Sequence, residues 1–169
     1  MSYIDIAPSI LAADFGYLMR DIKKVEGHAE YLHIDVMDGH YVNNISFGIP
    51  VIQSIRKYTD MKFYTPLMIT EPEKYIKAFA DAGSDNITFH VECSDNPDKL
   101  IEDIKALGCT AGISIHPDTP IEKVFPYIQK YLDDIITIKD EELVTTILDI
   151  VENHKMIVEN SGLLSVAAL

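Results

Sequence analysis

The chain has 169 residues, 47% hydrophobic and 24% charged, which is enough for one domain with a real core and too few for two comfortable ones. Against 27 acidic side chains stand 14 basic ones, and the formal charge of −13 argues against nucleic acid or an anionic membrane surface as a general partner. A small anionic substrate stays open, because a local nest of backbone N–H groups or a metal reverses the field at one site.

The N-terminal residues form no basic and apolar leader, and no apolar run approaches the roughly 18 to 20 residues of a spanning helix. Two cysteines, Cys93 and Cys109, give no disulfide framework and suit a reducing compartment. A cytoplasmic protein is expected.

In chain order, β-branched runs alternate with helix-period stretches. The predicted strands are Ile4–Ile10, Tyr31–Asp35, Phe63–Ile69, Asn86–Val91, Thr110–Ile115, Asp134–Ile138 and Met156–Val158. Between them fall predicted helices at Phe15–Glu26, Ile49–Tyr58, Pro72–Ala82, Pro97–Leu107, Ile121–Tyr131 and Glu141–Asn153. Asp14 is placed to cap the first helix, and Pro72 and Pro97 sit where a first-turn proline costs nothing. Gly27, Gly83 and Gly108 fall where a left-handed residue ends a helix.

Strands such as Ile87-Thr88-Phe89-His90-Val91 are apolar on both faces, as a parallel sheet covered by helices requires. The alternation predicts an α/β fold, either an open doubly wound sheet or a (β/α)₈ barrel short of its last portion. Seven strands would leave the first and last with open edges. A second copy of the chain, or a rearrangement of Ser161–Leu169, is expected to cover them, so a homo-oligomer is anticipated.

Chemistry-bearing residues gather at the C-terminal strand ends, where parallel α/β folds build their sites. His33 and Asp35 are two apart on a strand and project to one face, so together they suit a divalent metal, or a carboxylate base oriented by an imidazole. The plainer alternative is a core histidine and a turn-capping aspartate. Ser9 is either a substrate hydroxyl contact or a turn serine. Met37 and Met68 suit an apolar wall over a reacting carbon, or simple packing. His90 is a further candidate ligand or, more commonly at such a position, a structural histidine. The segment His116-Pro117-Asp118-Thr119-Pro120 reads as a turn with Asp118 or Thr119 as helix cap, and His28, His40 and His154 as loop or surface residues.

Ile6-Ala7-Pro8-Ser9-Ile10-Leu11-Ala12-Ala13-Asp14-Phe15 and Leu32-His33-Ile34-Asp35-Val36-Met37-Asp38-Gly39-His40-Tyr41-Val42 resemble the ribulose-phosphate 3-epimerase family. The likeness continues through Asn44–Gly48, Leu67–Ile69, Pro72–Ile76, Ala82–His90 and Gly112–Ile115. It implies a (β/α)₈ barrel that interconverts D-ribulose 5-phosphate and D-xylulose 5-phosphate. A proton beside the carbonyl is removed and returned on the opposite face by two carboxylates. A divalent metal (zinc, iron, manganese or cobalt), held by two histidines and those two aspartates, stabilises the enediolate. By resemblance His33 is a metal ligand that also borders the substrate, and Asp35 is a ligand and one acid/base. Ser9 touches the substrate, while Met37 and Met68 shield the intermediate.

The pattern also departs from the family. Where the third strand carries the second metal histidine, this chain has Pro66, which offers no lone pair. Val158-Glu159-Asn160-Ser161-Gly162 aligns with the seventh-strand signature and puts Asn160 in place of the second catalytic aspartate. Ile138-Lys139-Asp140-Glu141-Glu142 replaces the glycine-rich phosphate loop, and the sequence ends at Leu169, ahead of the eighth strand's phosphate contact. The expectation is therefore a ketose-phosphate epimerase with part of its metal and phosphate apparatus lost. The alternatives are a catalytically degenerate member that binds a small molecule or a partner, and a sequence lacking a loop and a C-terminal segment.

Overall fold

The computed structural model describes residues 5–131 and 138–154. The chain forms two compact units, Met1–Tyr127 and Ile128–Leu169.

In the first unit five parallel strands make one sheet: β1 (Tyr31–His33), β2 (Val36–Met37), β3 (Lys62–Met68), β4 (Asn86–His90) and β5 (Thr110–Ser114). The order is β1-β3-β4-β5, with β2 also pairing β3. Chain neighbours are thus sheet neighbours, and α1 (Leu18–Val25), α2 (Ile49–Arg56), α3 (Ile76–Ala82) and α4 (Pro97–Ala106) supply the crossovers. This is the arc of a (β/α) barrel, as expected.

Side-chain alternation fixes the layers. Phe63, Thr65 and Leu67 of β3 are buried, as are Leu32, Ile34, Val36, Ile87 and Phe89, together with Ile22, Ile52, Ile55, Phe79, Leu100 and Ile104 from the helices. Each such apolar side chain contributes about 1.5–3 kcal/mol by leaving water. The opposite face carries Tyr64, Pro66 and Met68 of β3, all half-buried. On that face Thr88 is itself buried and donates to the Tyr64 hydroxyl (3.1 Å).

Several ends differ from the sequence-based expectation. The first segment is not a full strand. Ile6 and Pro8 carbonyls accept from Tyr31 and His33 N–H, and Ser9 bridges His33, but Ile10 already turns into a 3₁₀ helix, Ile10–Ala12. Ser9 Oγ accepts the Leu11 N–H and so bends the chain there.

The expected strand Tyr31–Asp35 is split into β1 and β2, and the break lies beside Pro66. Ile34 N–H donates to the Tyr64 carbonyl, so Tyr64 aims its backbone at the first strands. Pro66, next on that side, has no N–H to continue the ladder.

The helix starts at Phe15, Pro72 and Ile121 each open with one 3₁₀ turn. Asp14 caps the first through Gly16 N–H, and Gly27, Gly83 and Gly108 take φ of +84°, +106° and +85°, as anticipated. Neither Asp118 nor Thr119 caps a helix. The residue ahead of the Ile121–Lys123 turn is Pro120, and Thr119 N–H closes a turn on the His116 carbonyl instead.

Helix α5 spans Phe125–Tyr131. The second unit holds α6 (Asp140–Asp149), which continues into a π-helical turn, Ile150–His154. Asp140, Glu141 and Glu142 in its first turn suit the positive end of the helix dipole, and Glu142 accepts from Lys139 N–H (2.8 Å). The expected sixth strand falls mostly, and the seventh wholly, outside the described residues, as do Asn160 and the segment Ser161–Leu169.

Candidate active site

Ser9, His33 and Asp35 meet at the C-terminal ends of the first strands. Ser9 Oγ donates to Asp35 Oδ2 at 2.5 Å, and His33 Nδ1 lies 3.0 Å from the same oxygen. An ionised carboxylate only accepts, so Nδ1 carries the proton of that bond. Asp35 is mostly covered, with 14% of its side chain exposed. Burial pushes its carboxyl upward, but the bonds from His33 and Ser9 prevail and hold it below the usual carboxylate range. Asp35 is therefore an ionised, oriented carboxylate, and it does not cap a turn.

The His33 ring stacks on Tyr64, with centroids 5.3 Å apart and planes 21° from parallel. Met37 and Met68 are register partners in β2 and β3 and lie side by side, both half-buried. Ser46 fixes the backbone here, since its hydroxyl donates to the Asp35 carbonyl (2.5 Å) and accepts from Met37 N–H (3.0 Å).

Asp38, in the next turn, is fully engaged. Oδ1 accepts from His40 and Tyr41 N–H, and Oδ2 from the Thr70 N–H and hydroxyl. Burial opposes ionisation, yet these four donors bring its carboxyl down to about 2. Asp38 is a bracket between two loops. Gly39 takes φ +73° in the turn after Asp38, and nothing in the sequence linked Thr70 or Ser46 to this turn.

A second polar cluster sits at the ends of β4 and β5. The Tyr41 hydroxyl is 2.8 Å from His90 Nδ1 and donates to Glu92 Oε2 at 3.2 Å. Glu92 Oε1 accepts from His116 N–H at 2.8 Å. Cys93 beside it is no nucleophile, because burial and the charge of Glu92 push its thiol up to about 11. His90 was visible as a strand histidine, but Tyr41 and Glu92 had no sequence signal tying them to it. His28 and His40 are exposed, as expected.

The sequence model of the Ribulose-phosphate 3 epimerase family matches residues 5–141. The chain belongs to this family. It is 48% identical over 123 residues to ribulose-phosphate 3-epimerase of Mycobacterium tuberculosis, covering 73% of this chain and 52% of that one. The Bacillus subtilis ribulose-phosphate 3-epimerase is 44% identical over 133 residues, 78% of this chain and 59% of its own. The cytoplasmic isoform of Oryza sativa is 46% identical over 126 residues, with 73% and 55% covered. The chain spans about half the length of the curated relatives it matches. Among solved structures, Yersinia pestis DHPS with a pterine-sulfa conjugate superposes with a TM-score of 0.51 at 12% identity, over 75% of this chain and 50% of that one. That likeness is one of fold.

The family's divalent metal needs three or four converging donors. His33 and Asp35 supply two. The register of β1 and β2 on β3 carries Asp35 level with Pro66, whose ring has no donor. Among the described residues no three His, Cys, Asp or Glu groups converge on a common point. Among the described residues the donor set does not complete a site for the divalent ion that the resemblance implies.

Proposed function

We propose that this epimerase-family chain performs proton transfer beside a ketose carbonyl, with a 3-epimerisation of D-ribulose 5-phosphate to D-xylulose 5-phosphate as its reaction. The observation that carries the reading is the ionised Asp35, aimed by Ser9 and His33 at the C-terminal end of a parallel sheet and flanked by Met37 and Met68. A carboxylate so held is a competent base. It takes the proton from carbon 3, and the bond pair moves toward the carbonyl to give an enediolate. The two methionines offer an apolar border that keeps water from the intermediate.

The membership of the family and the names of its relatives support the substrate. The reading extends to a cytoplasmic homo-oligomer without nucleic-acid or membrane partners. It draws on the acidic charge, and among the described residues no helix is long and apolar enough to cross a membrane.

The test is deuterium incorporation at carbon 3 of D-ribulose 5-phosphate in D₂O, followed by NMR. Wild type is expected to exchange and invert that centre, and Asp35→Asn to slow inversion by 10²-fold or more. Binding of the sugar phosphate with no exchange would instead favour the degenerate member, a reading that Pro66 opposite Asp35 supports.

A further inference from the structure

We propose that Tyr64 is a positioning residue of this site, whose ring fixes the plane of the His33 imidazole and so aims Nδ1–H at Asp35. The proposal rests on the epimerase reading, in which Asp35 is the base, and adds what holds the partner of that base in place.

An imidazole turns about its last side-chain bond in a broad well, so one hydrogen bond alone does not fix its plane. The His33 side chain is 30% exposed, and burial leaves it partly free. Its bond to Asp35 Oδ2, at 3.0 Å, is strong only while the N–H points along the line to the oxygen. The flat face of Tyr64 supplies the missing restraint. The two rings lie 21° from parallel with centroids 5.3 Å apart, an offset stack. Turning His33 out of that plane gives up the face contact and presses a ring edge against the tyrosine.

Register brings the two rings together. Tyr64 is the Cα partner of His33 on the adjacent strand, so both side chains rise from one level of the sheet. Tyr64 is in turn held from its other side. Its hydroxyl is hydrogen-bonded to Oγ1 of the buried Thr88 (3.1 Å), and that oxygen to Asn86 Oδ1 (3.0 Å). Asn86 Nδ2 donates to Thr110 Oγ1 at 2.9 Å. These residues belong to β3, β4 and β5, so the imidazole on β1 is braced by a row of side chains that crosses the sheet.

The consequence for chemistry is one of alignment. With His33 turned away, Ser9 alone holds Asp35 Oδ2, and the carboxylate gains freedom to swing. A misplacement of about 1 Å at a reacting atom costs about 10²-fold in rate. Tyr64 acts through His33 on the proton-transfer step, so its loss falls on kcat rather than KM.

Steady-state epimerisation of D-ribulose 5-phosphate, joined to NMR of the His33 ring, tests this. Tyr64→Leu is expected to lower kcat about tenfold or more with KM within about threefold of wild type. Tyr64→Phe keeps the ring face and loses the hydroxyl, and should hold kcat within about threefold of wild type. In wild type and Tyr64→Phe, ¹⁵N NMR should show His33 as Nδ1–H, its carbon-bound ring protons moved upfield by the tyrosine or phenylalanine face. Tyr64→Leu should give mixed tautomers and lose the upfield shift.

Thr88→Val keeps the threonine's shape and removes the brace on Tyr64. It serves where Tyr64→Leu does not fold, and the upfield shift of His33 should shrink in it. A kcat loss below tenfold in Tyr64→Leu, one above threefold in Tyr64→Phe, an unchanged His33 spectrum in Thr88→Val, or Nε2–H in wild type overturns the proposal. Absence of turnover in wild type overturns the epimerase reading instead, and the NMR comparison still decides what Tyr64 does to His33.

Discussion

Asp35 stands level with Pro66 on the neighbouring strand, so its carboxylate has beside it a ring without a donor atom. The same proline leaves the ladder beside it without an N–H, and β1 and β2 part at that level. One residue thus accounts for both a gap in the sheet and a gap in the donor set. Pro66→His would stand an imidazole across from Asp35 and within reach of the His33 side of the site. Cobalt(II) titration followed by visible absorption is expected to give no stoichiometric complex with wild type and at least a tenfold gain in affinity with the variant. An unchanged titration would show that position 66 does not face Asp35.

Ser9 serves two neighbours at once, donating to Asp35 Oδ2 and accepting from Leu11 N–H. Ser9→Ala removes a bond that favours the ionised carboxylate, so the Asp35 carboxyl should rise in pKa. It also removes the bond that turns the chain after Ser9. A loss of about 1–2 kcal/mol is expected in urea unfolding, together with an upward shift of the Asp35 carboxyl titration by ¹³C NMR. A titration that stays in place would mean that the serine is only a turn residue.

Asp38 predicts an acid limb in stability. Its carboxyl is depressed to about 2 in the folded chain, against an ordinary value near 3.8. A depressed carboxyl stabilises the fold above its unfolded value and loses that contribution as the pH falls through its folded value. The window is therefore about pH 4 to 2. The full shift corresponds to about 2 kcal/mol, reduced to about 1 by solvent screening at this partly exposed turn. Asp38→Asn should be less stable than wild type at pH 7 and nearly equal to it at pH 2, measured by chemical unfolding at each pH.

Local patterning carried most of the fold. The runs around Phe63 and Ile87 are unambiguous because their apolar side chains meet helices on the outer face, and Asp14, Pro72 and Pro97 mark helix starts by their own chemistry. The meeting of His33 with Asp35 followed from the two-residue repeat of a strand. What escaped was set by distant partners. The split between β1 and β2 depends on Pro66, which lies far along the chain and comes alongside only through register. Tyr41, in a loop, meets His90 and Glu92 across 49 and 51 positions, and no local periodicity encodes such a pairing. Asp38 and Thr70 are joined in the same way over 32 positions.

Gly112 shows how tightly the inner face is packed. A Cβ built there would lie 2.2 Å from Thr88 Oγ1 and 3.0 Å from Thr88 Cβ, closer than such atoms approach. Thr88 cannot simply turn away, because it is 3% exposed and its hydroxyl is hydrogen-bonded to both Tyr64 and Asn86. Gly112→Ala must therefore push β4 and β5 apart or break those bonds, at an expected loss of about 1–3 kcal/mol in unfolding experiments. Because Tyr64 stacks on His33, the displacement should also reach the site and lower turnover. Thr88→Ala removes the nearest clashing atom, so the double variant should be more stable than the sum of the single losses implies, by at least about 0.5 kcal/mol. Additive losses would show that the two positions do not press on each other, and the packing that holds Tyr64 against His33 would need another source.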